Sequence, residues 1–191
     1  MIITSIKPNI SREQAVAKFR GRFNELRHGR LRMVADFYVP YHIFRMKWSD
    51  GRSSTNTFIA ADAGAGKLDL IQFDQLPEEG HCMAVDAAMF AEERVDEEEA
   101  CRLVRESMMR SIFMKGFFKL SRPNLEIELA TSLHIPYWIG VYERSDRAHL
   151  EIINALRGRF EGAKLREMAA EWFQPRQERL SGNCTWKREA D

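Results

Sequence analysis

The stretch YVPYHIFRMKWSDGRSSTNTFIAADAGAGKLDL, residues 38–70, predicts an antiparallel β-meander. Its first part is rich in β-branched, aromatic and long apolar side chains, which suit the pleated, half-buried surface of a strand. Asp50-Gly51 is a strong signal for a tight hairpin turn. We therefore predict a first strand up to this turn, a second over Thr55–Ala61 and a third over Leu68–Phe73. Because Pro40 cannot donate a ladder hydrogen bond, we expect it at an edge, a strand start or a bulge.

The glycine-rich turn in this stretch resembles part of a phosphate-binding loop, but the sequence argues against that function. A P-loop needs a glycine, four further residues and then Gly-Lys-Ser/Thr, followed by a helix. Ala61 stands at the position of the first glycine before Gly66-Lys67, and Leu68 replaces the hydroxyl that would hold Mg²⁺. A predicted strand follows instead of a helix, so no helix N-terminus faces a phosphate. We predict a hairpin turn here.

Two stretches of helical periodicity each begin with a capping box, in which a side chain at either end bonds the backbone of the other. Ser11–Gln14 opens the first, and its apolar stripe predicts a helix of about four turns ending at Gly29. The stripe consists of Val16, Phe19, Phe23 and Leu26. Asp96–Glu99 opens the second, which is apolar on two sides and is therefore predicted to be buried on two sides. We predict that the second helix packs centrally, between two parts of the protein described below; a homodimer contact or a ligand pocket floored by Met and Phe side chains are the alternatives.

A degenerate copy of the meander follows at residues 134–165, HIPYWIGVYERSDRAHLEIINALRGRFEGAKL. In it Ile135-Pro136-Tyr137 parallels Val39-Pro40-Tyr41, and each copy follows one of the capped helices. A single helix-plus-meander unit leaves a sheet face and strand edges uncovered, which a second copy can cover. We therefore predict an α+β protein of two similar units, each a helix packed on an antiparallel β-meander.

The repeat also sets the predicted domain boundaries within the 191 residues. The first helix-plus-meander unit spans residues 1–80. The second spans residues 81–174 and includes a C-terminal amphipathic helix, which ends before Pro175 because proline disfavours helix in the residue before it. Residues 175–191 form a polar tail.

Composition and cysteine usage predict a cytoplasmic protein. The net charge is +1, so the molecule as a whole is not attracted to polyanions. The sequence contains neither a signal-peptide pattern nor the roughly 18 consecutive apolar residues of a membrane helix. Cys82, Cys101 and Cys184 are odd in number and widely spaced, which argues against a disulfide framework and favours a reducing compartment.

Catalytic and metal motifs are not recognisable, so we predict no catalytic residue, no metal ligand and no cofactor. A G-x-S-x-G nucleophile elbow is missing from the sequence. His81-Cys82 is the one close His/Cys pair, and it lacks the second nearby pair of a zinc site.

The aromatic residues around the two Pro-Tyr positions are open to two interpretations. Packing of the core and of the contact between units is favoured because aromatic rings dominate core burial. The alternative is a ligand site between the units, where the two Pro-Tyr strands approach each other. The predicted ligand-binding residues are Tyr41, His42, His134, Tyr137 and Trp138.

The densest basic run of the chain surrounds the end of the first predicted helix, from Arg20 to Arg32. Arginines near a helix C-terminus are favoured by the helix dipole, which explains the run as a solvated helix face. The alternative is contact with a nucleic acid or another anion. The residues predicted for that contact are Arg22, Arg27, Arg30 and Arg32.

The order of capped helix, strand, Asp-Gly turn, strand and glycine-rich turn resembles the PepSY-type repeat of the cystatin-like folds. The resemblance is carried by Ala15, Tyr38, Asp50-Gly51 and Phe58 to Leu68, with Asp62, Gly66 and Lys67, and in the second copy by Ala100, Tyr137, Leu150 to Ile153 and Lys164. The second copy lacks the aspartate before the turn. The resemblance implies a non-catalytic regulatory or binding module, often tied to the cell envelope, and this chain departs from it in having no export signal.

We therefore expect a non-catalytic binding or regulatory module, with an unknown protein partner or self-association. A small-molecule-binding protein or enzyme with its site between the units is one alternative. Nucleic-acid binding through Arg20–Arg32 is the other, and the balanced charge makes it the less expected of the two.

Overall fold

The structure is a computed structural model that describes residues 1–49, 54–64, 70–114, 124–144, 147–163, 165–167 and 169–170. Its strands are β1 (Ile2–Ile6), β2 (Arg30–Ser49), β3 (Ser54–Asp62), β4 (Leu70–Phe73), β5 (Cys82–Asp86), β6 (Asn124–Arg144) and β7 (Arg147–Asn154). Its α-helices are α1 (Arg12–Phe19), α2 (Arg22–His28) and α3 (Glu97–Met114), and a short 3-10 helix spans Glu79–His81.

The strands form one seven-stranded mixed sheet with the order β4-β3-β2-β6-β1-β5, and β7 also pairs with β6. Its centre is a long antiparallel ribbon of β2 and β6, which runs from the Arg30–Glu143 pair to the Ser49–Asn124 pair. β3 continues the sheet at one end of this ribbon and β7 at the other. β1 joins β6 in parallel through the Ser5–His134 pair, and its other neighbour is β5.

This single sheet shows that the predicted fold class was wrong. The chain does not form two separate helix-on-meander units, because β2 pairs along its length with β6, which belongs to the predicted second unit. The start of the predicted second meander, at residue 134, lies in the middle of one long strand, β6, which begins at Asn124. The period-2 pattern of a strand fixes which side chains share a face but does not say which other strand pairs with it.

The first helical region is also different from the prediction of one four-turn helix. It breaks at Gly21 into α1 and α2. Phe19 is buried as its position in the apolar stripe predicts, but Phe23 and Leu26 beyond the break are 88% and 77% exposed. The predicted capping box at Ser11 is present, with both reciprocal hydrogen bonds made to Gln14.

The long helix α3 packs on the face of the sheet formed by β2, β3 and β6. Asp96 caps its start, because the carboxylate accepts a hydrogen bond of 2.8 Å from the backbone N–H of Glu99. Ala100 and Val104 are buried against Phe44 and other side chains of this face. The predicted position of α3 between two units does not apply to a single sheet.

Equivalent contacts nonetheless recur at the two Pro-Tyr positions. The carbonyl of Pro40 accepts a hydrogen bond from the N–H of Ala63 at 2.9 Å, and the carbonyl of Pro136 accepts one from Ala155 at 3.0 Å. In both places a long central strand is thereby tied to the residue that follows its hairpin partner, β3 in one case and β7 in the other.

The turns that follow β3 and β7 are each stabilised by a short polar side chain. A carboxylate oxygen of Asp62 accepts a hydrogen bond of 2.8 Å from the backbone N–H of Gly64. The amide oxygen of Asn154 accepts one of 3.0 Å from the N–H of Leu156. Both residues are buried, and both form the local turn that Asp and Asn side chains favour.

The core lies on both faces of the β2–β6 ribbon, and its largest cluster includes Val39, Ile135 and Ala169. Ala169 belongs to helical residues near the end of the described chain, at 163, 165–167 and 169–170, where a C-terminal helix was predicted. The predicted turns at Asp50-Gly51 and Gly66-Lys67 and the polar tail 175–191 lie outside the described residues.

Among the described helices, none has the length and the hydropathy that crossing a bilayer requires. Cys82 and Cys101 are free thiols, and Cys184 lies outside the described part of the chain.

Candidate functional site

The two tyrosines predicted to bind a ligand are buried and bonded to each other. The hydroxyl oxygens of Tyr41 and Tyr137 lie 3.0 Å apart, and both side chains are almost fully buried. Their rings belong to the largest core cluster. The structure therefore brings these two predicted residues together, in an arrangement that suits packing of the core.

His42 and Trp138 follow these tyrosines and make equivalent contacts. Nε2 of His42 lies 3.0 Å from the carbonyl of Val95, and Nε1 of Trp138 donates to the carbonyl of Ile10 at 2.8 Å. Each carbonyl precedes the residue that caps a helix, so each ring ties a central strand to the start of a helix. The other nitrogen of His42 bonds the hydroxyl of Ser132 at 2.8 Å.

His134 lies apart from these four side chains, at the pairing of β6 with β1. Its Nδ1 is 3.3 Å from the carbonyl of Thr4. Burial lowers the pKa of His134, and the hydrogen bond to Thr4 opposes that change. The prediction that His134 and its neighbours bind a ligand stays a prediction.

The predicted basic run is divided between α2 and the start of β2. Arg32 forms an ion pair with Glu143, with 2.5 Å between Nε and Oε2. The backbone carbonyl of Arg27 accepts a hydrogen bond from Arg144. Arg30 is exposed at the first residue of β2, and the side chain of Arg22 lies outside the described parts of the structure. Contact of these residues with a nucleic acid stays a prediction.

A groove of about 400 Å³, here called the α1–β2 groove, lies between α1 and the first residues of β2. It is lined by Arg12, Glu13, Val16, Arg20, Leu31, Arg32, Met33 and Val34. The guanidinium group of Arg12 donates a hydrogen bond of 3.2 Å to the carbonyl of Val34, across the groove. Its walls therefore combine cationic side chains with an apolar floor.

A second cluster, here called the histidine–glutamate cluster, consists of His28, His149, Glu151 and Arg166. Oε1 of Glu151 lies 3.2 Å from Nε2 of His28 and 3.0 Å from Nε2 of His149. One guanidinium nitrogen of Arg166 donates to both carboxylate oxygens at 2.9 Å. The carboxylate of Glu151 is only 7% exposed, so three nitrogen-bearing side chains converge on a buried anion.

Three separate elements position this cluster. His149 and Glu151 stand two residues apart on β7 and therefore on the same face of the strand. His28 is the last residue of α2, and Gly29 follows with φ 93°, a conformation that side chains rarely adopt. A Cβ atom on Gly29 would lie 2.3 Å from the carbonyl oxygen of Glu143, so glycine lets the end of α2 approach the sheet.

The two imidazole rings are stacked, with 3.9 Å between centroids and 1° between planes. The ring of Tyr142 lies beside that of His28 at 5.7 Å, and its hydroxyl donates to the carbonyl of Phe19 at 2.7 Å. Burial lowers the pKa of His28, and repulsion by His149 lowers it further, while Glu151 acts in the opposite direction. This favours a neutral imidazole at His28.

The charge of Glu151 is set by competing effects. Burial raises the pKa of this carboxyl group, but hydrogen bonds from His149 and Arg166 and the charge of Arg166 together lower it below its usual value. The cluster therefore holds an ionised carboxylate in a mostly buried place.

Sequence reasoning missed this cluster because its members are far apart along the chain. One signal was present: His149 and Glu151 alternate on a predicted strand, which places two ligand-type side chains on one face. Nothing in the sequence connected them with His28, because the contact of α2 with β7 depends on the sheet order.

Comparison of the chain with models of protein families, with curated proteins and with solved structures finds no significant match. The resemblance to PepSY-type repeats therefore stays a prediction.

Proposed function

We propose that this protein is a non-catalytic binding module, and that the α1–β2 groove receives an acidic, extended segment of a protein partner. The observation that carries the proposal is a strand edge with which none of the described strands pairs, beside a groove lined by three guanidinium groups. Peptides often bind by adding a strand to such an edge, where main-chain hydrogen bonds give affinity and side-chain contacts give specificity.

The edge in question belongs to residues 30–36 of β2. β3 pairs with β2 from Tyr41 to Ser49, and within the described chain no strand pairs with the outer edge of residues 30–36. The backbone of Tyr38 faces away from β6, because it bonds Met89 and Ala91. Backbone groups alternate along a strand, so those of residues 34 and 36 face the same outer edge. The carbonyl of Val34 accepts a hydrogen bond from Arg12 there, which an incoming strand would have to displace.

The side chains of the groove indicate the chemistry of the partner. Arg12, Arg20 and Arg32 line it together with one carboxylate, that of Glu13. Guanidinium groups bind carboxylates through paired hydrogen bonds and keep their protons in proteins, so they suit binding better than acid–base catalysis. The floor includes Met33, which is 46% exposed. An extended segment of alternating acidic and apolar residues would match both features.

The cytoplasmic location predicted from the cysteine pattern is part of the same proposal. Cys82 and Cys101 are free thiols in the described chain, and a reducing compartment would keep them so.

Fluorescence anisotropy with the full chain tests the proposal. The probe is a fluorescein-labelled peptide of alternating glutamate and valine, with a peptide of alternating lysine and valine as its control. We expect binding of the acidic peptide alone, weakened by salt because exposed charges are screened. The substitution Arg20→Glu should raise the Kd by at least about tenfold, because it places a negative charge in the groove.

The matched control variant is Arg110→Glu, which reverses an exposed charge on α3, away from the groove. It should bind the acidic peptide as the unmodified protein does. Equal losses in the two variants would indicate attraction by overall charge and would contradict the groove. If a labelled single-stranded oligonucleotide binds more tightly than the acidic peptide, and Arg30→Glu abolishes that binding, the basic run is a nucleic-acid surface and the proposal is wrong.

A further inference from the structure

We propose that His28, His149 and Glu151 form a binding site for one divalent transition-metal ion of the zinc type. Each residue offers one ligand atom, and these atoms all lie within 4.8 Å of one another. The site is independent of the α1–β2 groove, so either proposal can fail while the other stands.

The distances between the ligand atoms suit such an ion. Zinc binds histidine nitrogen and carboxylate oxygen at about 2.0–2.2 Å in tetrahedral geometry, which places neighbouring ligand atoms about 3.4 Å apart. The distances from Oε1 of Glu151 to Nε2 of His28 and of His149 are 3.2 and 3.0 Å. These two spacings are therefore close to those of a tetrahedral site.

The ligand types select the class of metal. Two imidazoles and one carboxylate suit zinc and its neighbours in the first transition series, whereas magnesium and calcium prefer an all-oxygen environment. Three protein ligands leave the fourth position of a tetrahedral ion open. The half-exposed side chain of His149, at 40%, places one side of the site towards solvent.

Binding requires one rearrangement, which the structure allows. The ring-plane lone pairs of two stacked, parallel imidazoles point side by side, so they do not converge on one ion. One ring must turn, and His149 is free to do so because it is the more exposed, whereas His28 is 10% exposed and lies against Tyr142. Both imidazoles then carry their proton on Nδ1 and present Nε2 to the metal.

Arg166 acts in this site as a positioning residue. It bonds both oxygens of Glu151. With the ion on Oε1, the guanidinium group keeps its hydrogen bond to Oε2 and holds the carboxylate in orientation, as partners of metal ligands commonly do. Its positive charge also lowers the affinity for a cation, so the site is weaker than one with a free carboxylate.

Equilibrium dialysis of the chelator-treated full chain against Zn²⁺, under reducing conditions, measures stoichiometry and affinity. We expect one ion per chain. Loss of an outer partner of a metal ligand typically costs about 10–100-fold in affinity, so loss of a ligand should cost at least about 100-fold. His149→Gln and Glu151→Gln should each show that loss. His81→Gln, which removes an exposed imidazole next to Cys82, is the matched control and should bind as the unmodified protein does.

Glu151→Gln leaves Arg166 without a charged partner and is expected to destabilise the fold. His149→Gln is therefore the decisive variant, because His149 is half-exposed and its replacement disturbs the core less. Thermal unfolding of the metal-free variants checks that His149→Gln is folded. Absorption of the Co²⁺-loaded protein gives a second readout: ligand-field bands without thiolate charge-transfer bands support the site. Binding that His149→Gln leaves unchanged, binding lost in His81→Gln, thiolate bands, or no stoichiometric binding would each overturn the proposal.

Discussion

The hydroxyl oxygens of Tyr41 and Tyr137 meet at 3.0 Å, over the directly paired residues Val39 and Ile135. Each tyrosine lies two residues beyond this pair on its own strand. Because β2 and β6 are antiparallel, the two Cα atoms are four residues apart along the ribbon, about 13 Å at the usual rise per residue. The rings therefore lean towards each other across the middle of the sheet, and the bond between them joins the two Pro-Tyr strands.

The contact between Tyr41 and Tyr137 predicts a measurable coupling in stability. Replacing either tyrosine with phenylalanine removes this buried hydrogen bond and should lower the free energy of unfolding by about 1 kcal/mol. The double variant should lose less than the sum of the two single losses, because the shared bond can be removed only once. Chemical denaturation of the four proteins gives the coupling energy. Strictly additive losses would contradict the contact.

Gly140 is expected to be intolerant of a side chain. A Cβ atom at this position would lie 2.8–3.0 Å from ring atoms of Phe19, the buried last residue of α1. Gly140→Ala should therefore lower the free energy of unfolding by about 1–3 kcal/mol through overpacking. Gly162→Ala is the control, since nothing lies within 4 Å of its added Cβ. Combining Gly140→Ala with Phe19→Leu should restore part of the loss in chemical denaturation.

The cap of α3 offers a third prediction. Asp96→Ala removes the acceptor for the backbone N–H of Glu99 and should cost about 1 kcal/mol of stability. Asp96→Asn keeps an acceptor oxygen at the same place and should cost clearly less. Thermal and chemical unfolding of the two variants measure the difference. Equal destabilisation would show that the charge at the start of the helix, and not the hydrogen bond, is what stabilises it.

The burial of His134 predicts that the stability of the fold depends on pH. Burial lowers the pKa of His134 below its usual 6.5, so the folded state favours the neutral ring. Near and below pH 6.5 the unfolded chain binds the proton more readily than the folded chain does. The free energy of unfolding therefore falls as the pH falls. The contribution of neutral His134 to the free energy of unfolding is complete above about pH 6.5. It is lost as the pH falls through the pKa that His134 has in the folded state.

The comparison of the unmodified protein with His134→Gln isolates this effect. The free energy of unfolding of the unmodified protein should fall more between neutral and mildly acidic pH than that of the variant. His81→Gln, which alters an exposed imidazole, should follow the unmodified protein. Parallel curves for the unmodified protein and His134→Gln would refute the prediction.

Sequence patterns predicted local features well and assembly poorly. The capping box at Ser11 and the buried stripe residue Phe19 follow from spacing along a few turns. Phe23 was placed on the same stripe, but the helix breaks at Gly21 and the ring is exposed. A prediction from helical periodicity assumes an unbroken helix. Glycine permits non-helical backbone conformations, so the helix can break there when tertiary contacts favour it.

What the sequence determined by itself is local: helix starts, the apolar strands around the Pro-Tyr motifs, and the paired ligand types of His149 and Glu151 on one strand face. The tertiary structure decided that β2 pairs with β6, and with it the contact of Tyr41 with Tyr137 and the approach of His28 to β7. The physical reason is the distance along the chain over which each interaction acts. Caps and periodicity act between residues a few positions apart, whereas strand pairing depends on which distant partner best buries both faces, and one strand's side chains do not specify that partner.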